Sequence, residues 1–259
     1  MDLGIKGETA LCMASTQGLG YGCAEALIAA GCTVVINGRD RTRGERAAAA
    51  LGHGTAFIAA DVTKDSERAR LFEEAKKRLG HVSILVTNAD GPPTGPFLSK
   101  SLDDWRRAFD LCMLPSIDLA NRAVPDMVAR GYGRIINISS ISVKEPTPNT
   151  PLACGTKLGL IGALATLARE VADKGVTVNS ILPGPFDTAL LRRVARAITA
   201  RPDVSEEEAV KLYGQHTPAK RIGTIQEFGS MCAYIASRHA GYMTGQSVVL
   251  DGGLVHTIY

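Results

Sequence analysis

Seven short apolar runs, each followed by a stretch of helix length or by a turn, constrain the fold of this chain more than any other feature. The runs fall at residues 9–13, 33–36, 56–60, 84–86, 134–138, 176–182 and 247–250. Several are apolar throughout rather than alternating, as strands covered on both faces must be. Between them lie helix-length segments at about 20–30, 42–51, 66–79, 102–130, 152–173 and 225–237. Ser101-Leu102-Asp103-Asp104 and Thr224-Ile225-Gln226-Glu227 read as capping boxes, and Gly31, Gly80 and Gly175 stand where helices stop. Strand–helix alternation with short connections predicts an α/β fold: one doubly wound, Rossmann-type parallel sheet of about seven strands, helices on both faces, in a single domain. Pro115 falls inside segment 102–130 and predicts a kink or a split there. Residues 185–223 carry helical pieces at 188–200 and 205–213 but no strand, and an insertion so placed is where α/β enzymes carry substrate lids.

Composition removes whole classes of function. With 45% hydrophobic and 21% charged residues over 259 positions, disorder, collagen and coiled coil are excluded. A net charge of +3 is too mild to predict nucleic acid or an anionic membrane as partner. The six cysteines (Cys12, Cys23, Cys32, Cys112, Cys154, Cys232) are far apart in sequence, without a CxxC pair, which predicts neither a disulfide framework nor a metal site but reduced thiols in a cytoplasm. The first residues lack a basic-then-apolar leader and no apolar run approaches ~18 residues, so neither signal peptide nor membrane span is expected.

After the first run the sequence reads Met13-Ala14-Ser15-Thr16-Gln17-Gly18-Leu19-Gly20 and then turns helical. Glycine at 18 and 20 lets backbone approach a pyrophosphate, and a helix N-terminus supplies free N–H groups and partial positive charge to the anion. A glycine-rich turn without ligand is the other reading, but the turn follows the first strand, at the sheet edge where ligands bind. The second run ends at Ile36-Asn37-Gly38-Arg39, followed by Arg41 and Arg43. An NAD site places a carboxylate where Gly38 stands. The guanidinium of Arg39 suits a 2′-phosphate instead, so NADP(H) is expected over NAD(H), the alternative being a solvated basic helix start.

Further motifs follow in order: Asp61-Val62; Thr87-Asn88-Ala89-Asp90; Gly133-Arg134-Ile135-Ile136-Asn137-Ile138-Ser139-Ser140; Val178-Asn179-Ser180-Ile181-Leu182-Pro183-Gly184 with Phe186 and Thr188 beyond; Thr244-Gly245-Gln246; and Asp251-Gly252-Gly253. With the turn at 13–20 they resemble the short-chain dehydrogenase/reductase family, nearest in pattern to its 3-oxoacyl-(acyl carrier protein) reductase-like members. The likeness covers essentially the whole chain. Ala14 stands for the family's first turn glycine, and Thr87 and Asp90 replace the outer residues of its Asn-Asn-Ala-Gly motif. The resemblance implies cofactor contacts at Ala14, Ser15, Thr16, Gln17, Gly18, Leu19 and Gly20, then at Arg39, Asp61 and Val62. It adds Asn88, Ala89, Lys157, Pro183, Gly184, Phe186 and Thr188. It also implies a homo-oligomer, tetramer or dimer, with interfaces from segments 102–130 and 152–173 and the last strand. Apolar Leu158, Leu160, Ile161, Leu164 and Leu167 agree with a helix buried on more than one side.

Members of that family use a serine, a tyrosine and a lysine, with an asparagine supporting a proton relay. Ser140 matches the serine and Lys157 the lysine. The tyrosine's place, four residues before the lysine and thirteen after the serine, is Ala153, and the asparagine's is Cys112. Alanine cannot donate a proton. Three sources remain: Lys157 itself with a lowered pKa, a water held by Ser140 and Lys157, or Tyr213 and His216 from the insertion. Cys112 and Cys154 read as small core residues, and the insertion's Arg192, Arg193, Arg196, Arg201 and Lys211 as a solvated basic helix. The expected activity is NADP(H)-dependent hydride transfer with a small-molecule carbonyl or alcohol, Ser140 and Lys157 carrying the catalysis. The alternatives are a non-catalytic dinucleotide sensor or scaffold, and another reaction on the same fold.

Overall fold

The computed structural model describes residues 1–199 and 203–257. Ala200 and Arg201, named above in the insertion, lie outside the described residues. Seven parallel strands form one sheet in the order β3-β2-β1-β4-β5-β6-β7: β1 (Thr9–Cys12), β2 (Thr33–Gly38), β3 (Ala56–Ala59), β4 (Ile84–Thr87), β5 (Gly133–Ile138), β6 (Val176–Pro183) and β7 (Ser247–Leu250). The direction of winding reverses between β1 and β4, which opens a crevice at their carboxyl ends.

Successive residues of a strand serve opposite cores, which is why the runs are apolar without alternation. Ala10 and Cys12 pack with Val34, Ile36, Ile136 and Phe228 on one face. Leu11 and Met13 pack with Val35, Leu85, Leu119 and Ile135 on the other. Helices α1 (Gly18–Ala29), α2 (Arg41–Leu51) and α9 (Ile225–Ala236) cover the first face. Helices α3 (Asp65–Leu79), α5 (Leu114–Arg130) and α6 (Pro151–Val171) cover the second, with α4 (Leu102–Cys112) lying on α6. Segment 102–130 is split, as Pro115 predicts: the chain breaks at Met113 and the proline sits in the first turn of α5, where its missing N–H leaves no bond unmade. Both capping boxes are closed, at Ser101–Asp104 and Thr224–Glu227.

Helices α1 and α9 meet backbone to backbone. A Cβ on Gly22 would overlap the carbonyl of Ile225, and one on Gly229 the carbonyl of Gly22. Four of the cysteines that are scattered in sequence gather at this seam. Cys12, Cys23, Cys32 and Cys232 are all buried; desolvation, with Cys232 close to both, pushes the Cys12 and Cys23 thiols well up. No disulfide joins them.

The segment Pro151–Lys174 reaches the length and mean hydropathy (1.4) of a membrane span, where the sequence led us to expect no such segment. It is α6 and its short 3₁₀ extension, and Leu160, Leu164, Ala168 and Val171 bury one face of it against the sheet. Burial on several sides is not found within one copy of the chain: Leu158 is 54% exposed. The insertion forms α7 (Ala189–Thr199) and α8 (Glu206–Gly214), joined by Ala195, Ala209 and Val210. An isolated parallel bridge from Phe186 to Gly223 closes its base.

Candidate active site

The turn between β1 and α1 is built for close approach. Gly18 adopts φ +60°, and a Cβ on Gly20 would sit 2.7 Å from the Ala14 carbonyl oxygen and 2.9 Å from the Ser15 Cα. Ala14, standing where the family has glycine, takes φ +49°. Two asparagines hold it there: its N–H donates to Asn37 Oδ1 at 3.3 Å, and its carbonyl accepts from Asn88 Nδ2 at 3.0 Å. Asn37 is buried, and its amide also donates to the carbonyls of Ile58 and Ala60, tying the turn to β3. Sequence reasoning missed this residue; its signal was a polar side chain inside an otherwise apolar strand. The Ser15 hydroxyl donates to the Cys12 carbonyl at 2.6 Å.

Helix α1 begins without a side-chain cap at Gln17 and without an acidic residue in its first turn. Its leading N–H groups and positive dipole end therefore remain available to an anion. Thr188 lies against this end, its Cγ2 3.5 Å from where a Gly18 Cβ would be, and a cleft of about 400 Å³ runs between Gly18, Thr188, Arg192 and Thr224. The uncapped amides and the glycine cradle that a Cβ would fill fit a dinucleotide pyrophosphate.

Toward β2, the Thr16 methyl fills the space a side chain at Gly38 would need, 2.7 Å from its Cβ position. Arg39, just beyond, is drawn across the crevice into an ion pair with Asp90 at 3.0 Å. Asp61 and Val62 follow β3. Burial opposes ionisation of Asp61, but hydrogen bonds from the Thr63 hydroxyl and amide, with Arg39 nearby, hold its pKa below the ordinary value. Asn88 and Ala89 follow β4. Pro183 ends β6, and Gly184 leaves it with so little room that a Cβ would lie 2.6 Å from Asp251. Phe186 is buried, its ring edge-on to Phe228 at 5.3 Å.

Ser140 lies just beyond the carboxyl end of β5, and Lys157 reaches the residue before it. The Ser140 oxygen accepts from the Ser142 amide (3.2 Å) and hydroxyl (2.9 Å), leaving its own proton free to donate. The Lys157 ammonium donates to the Ser139 carbonyl at 3.0 Å. Desolvation lowers its pKa, opposed by the nearby Cys112 thiol. Cys112 is buried, its own pKa raised by desolvation against the pull of Lys157. Cys154 is half-buried and points at the Ser142 carbonyl, 3.4 Å away. Ala153 lies one turn before Lys157 on α6. Tyr213 packs against the α7–α8 cluster and His216 is exposed, their rings edge-on to each other; neither hydrogen-bonds Ser140 or Lys157 among the described residues. Arg192 is not a solvated cation: it bonds Asp187 at 2.6 and 2.8 Å and Glu206 at 3.2 Å.

Residues 13–255 match the family model described as enoyl-(acyl carrier protein) reductase. The chain is 32% identical over 255 residues to the 2,3-dihydroxy-2,3-dihydro-p-cumate dehydrogenase of Pseudomonas putida, covering 97% of this chain and 95% of that one. It is 31% identical over 261 residues to the 3-oxoacyl-(acyl carrier protein) reductase of Aquifex aeolicus, covering 98% and 100%. L-sorbose reductase from Gluconobacter frateurii, solved with NADPH and L-sorbose, superposes with a TM-score of 0.94 at 28% identity over the full length of both chains. The family match over most of the chain and the whole-length relatives together show that the chain belongs to the short-chain dehydrogenase/reductase family of oxidoreductases, resembling its 3-oxoacyl-(acyl carrier protein) reductases.

Proposed function

We propose that this protein is an NADP(H)-dependent oxidoreductase acting on a small-molecule carbonyl or alcohol, with Lys157 as proton source in place of a phenol. The observation that carries the reading is the convergence, at one sheet edge, of the uncapped α1 turn, Asn88, Ser140 and the desolvated Lys157. The turn at 14–20 and Thr188 hold the pyrophosphate, and Asn88, Ala89, Asp61 and Val62 border the adenosine. Arg39 selects the 2′-phosphate, which is absent from NAD(H). Bound NADP(H) supplies or accepts the hydride. Ser140 donates its free proton as a hydrogen bond to the substrate oxygen, polarising the carbonyl. Lys157, whose ammonium is made more acidic by desolvation, delivers the proton to that oxygen directly or through a water held with Ser140, and recovers it from solvent.

Residues 185–223 act as the substrate lid, hinged at the Phe186–Gly223 bridge. The protein works as a cytoplasmic homo-oligomer rather than with nucleic acid or membrane. Exposed Leu102, Phe109 and Leu158 on α4 and α6, and the open edge of β7, are the surfaces that a second copy covers. A second reading, a non-catalytic dinucleotide sensor, is favoured by one observation: Ala153 places a methyl where the family's acid stands. NADPH deuterated at nicotinamide C4, incubated with a ketone, aldehyde and quinone panel, separates the two. Deuterium in an alcohol product is expected; an intact cofactor with every substrate overturns the enzyme reading.

A further inference from the structure

Arg39 follows β2, Asp90 follows β4, and β1 lies between those strands. The ion pair from Arg39 Nη2 to Asp90 Oδ2, at 3.0 Å, therefore straddles the carboxyl end of β1 and the phosphate-binding turn that leaves it. Asp90 is anchored from beneath, its carbonyl accepting from the Cys112 thiol at 3.8 Å. It stands where the resemblance places a glycine, so the carboxylate is this chain's own departure. Asp61 lies close enough to Arg39 for the guanidinium to help lower its pKa.

We propose that Asp90 is a specificity-determining latch, competing with the cofactor's 2′-phosphate for the Arg39 guanidinium and so setting how strongly the site prefers NADP(H) to NAD(H). This rests on the NADP(H) reading above. A guanidinium fork binds carboxylate and phosphate through the same donors. A phosphomonoester carrying about −1.5 to −2 charges at neutral pH has to displace Asp90 and then lies beside it. Both side chains are mostly exposed, at 64% and 69%, so the latch is weak enough for a ligand to open and is screened by salt. A nucleotide without the 2′-phosphate has nothing to offer Arg39 and leaves the latch closed.

Calorimetry on the full chain tests this with adenosine 2′,5′-bisphosphate and 5′-AMP as probes, alongside NADPH and NADH. Asp90→Asn is expected to tighten the bisphosphate and NADPH about three- to tenfold at low salt, leaving 5′-AMP and NADH within about twofold. The gain is expected to vanish in an Arg39→Ala background and to shrink at high salt. A gain shared equally by both probes, no gain at all, or a gain that survives Arg39→Ala overturns the latch. If wild type still binds NADPH in those cases, the cofactor reading stands alone; wild type that binds none of the four overturns both. Asp90→Ser, checked by its melting temperature, gives the same comparison should Asp90→Asn fold poorly.

Discussion

The Lys157 ammonium donates to the main-chain oxygen of Ser139 at 3.0 Å, one residue before the serine whose hydroxyl is free to donate. No carboxylate lies within ion-pair distance of Lys157 among the described residues, so desolvation outweighs the opposing effect of the Cys112 thiol and the pKa falls below the ordinary 10.5. Reduction is therefore expected to be fastest at low pH and to decline as pH rises through that lowered value, because the donor form is lost; oxidation shows the opposite limb. Stability follows the same group. Folding disfavours the protonated form, so between the lowered value and 10.5 the unfolded chain holds more protons and stability gains with rising pH. The melting temperature of wild type relative to that of Lys157→Met should rise across that window. A flat rate profile combined with a constant melting difference would remove Lys157 from the proton path.

Ala153→Tyr places a phenol one helical turn before Lys157. General acid assistance is worth ~10²–10⁴ in rate, so NADPH oxidation with a ketone is expected to rise about 10²-fold. The assay is single-turnover cofactor oxidation in wild type and variant. Unchanged rates would mean that another group already does the phenol's work.

Ala14 is held at φ +49° by hydrogen bonds from its N–H to Asn37 and to its carbonyl from Asn88. A left-handed conformation costs an L-residue ~1–2 kcal/mol, offset in part by the larger entropy glycine loses on folding. Ala14→Gly should stabilise the protein by about 0.5–1 kcal/mol, read as a rise of roughly 1–4 °C in melting temperature with cofactor affinity retained. A fall in melting temperature would show that the strain is already relieved.

Leu158 and Phe109 are 54% and 40% exposed on α6 and α4. A carboxylate inside an apolar contact between copies is strongly unfavourable. Leu158→Asp is expected to shift the protein to a smaller species in light scattering without loss of the monomer's far-UV spectrum. An unchanged mass would move the interface elsewhere.

Strand positions were legible to within a residue or two because a sheet covered on both faces leaves an apolar signature that no turn shares. The split at Met113 was legible through Pro115, and the two capping boxes through their terminal residues. What the sequence withheld depends on elements distant along the chain. Arg39 reads as a free guanidinium until β2 and β4 are set on either side of β1. Nothing local marks Arg68 as buried, yet it is 6% exposed and bonded to Asp118 at 2.8 Å and to the Val62 carbonyl at 2.9 Å. Phe186 stands in a stretch that matched a family motif, and nothing local shows that its ring packs edge-on to Phe228. Leu158 matched a buried pattern, but it is more than half exposed.

The seam at Gly22 and Gly229 gives the last third of the chain authority over the first. Because Gly22 and Gly229 let the backbones of α1 and α9 touch, the direction in which the uncapped α1 amides aim follows where α9 lies. Bulk introduced at position 229 would swing the opening of α1 like a lever about its far end, re-aiming its uncapped amides from a residue on another helix.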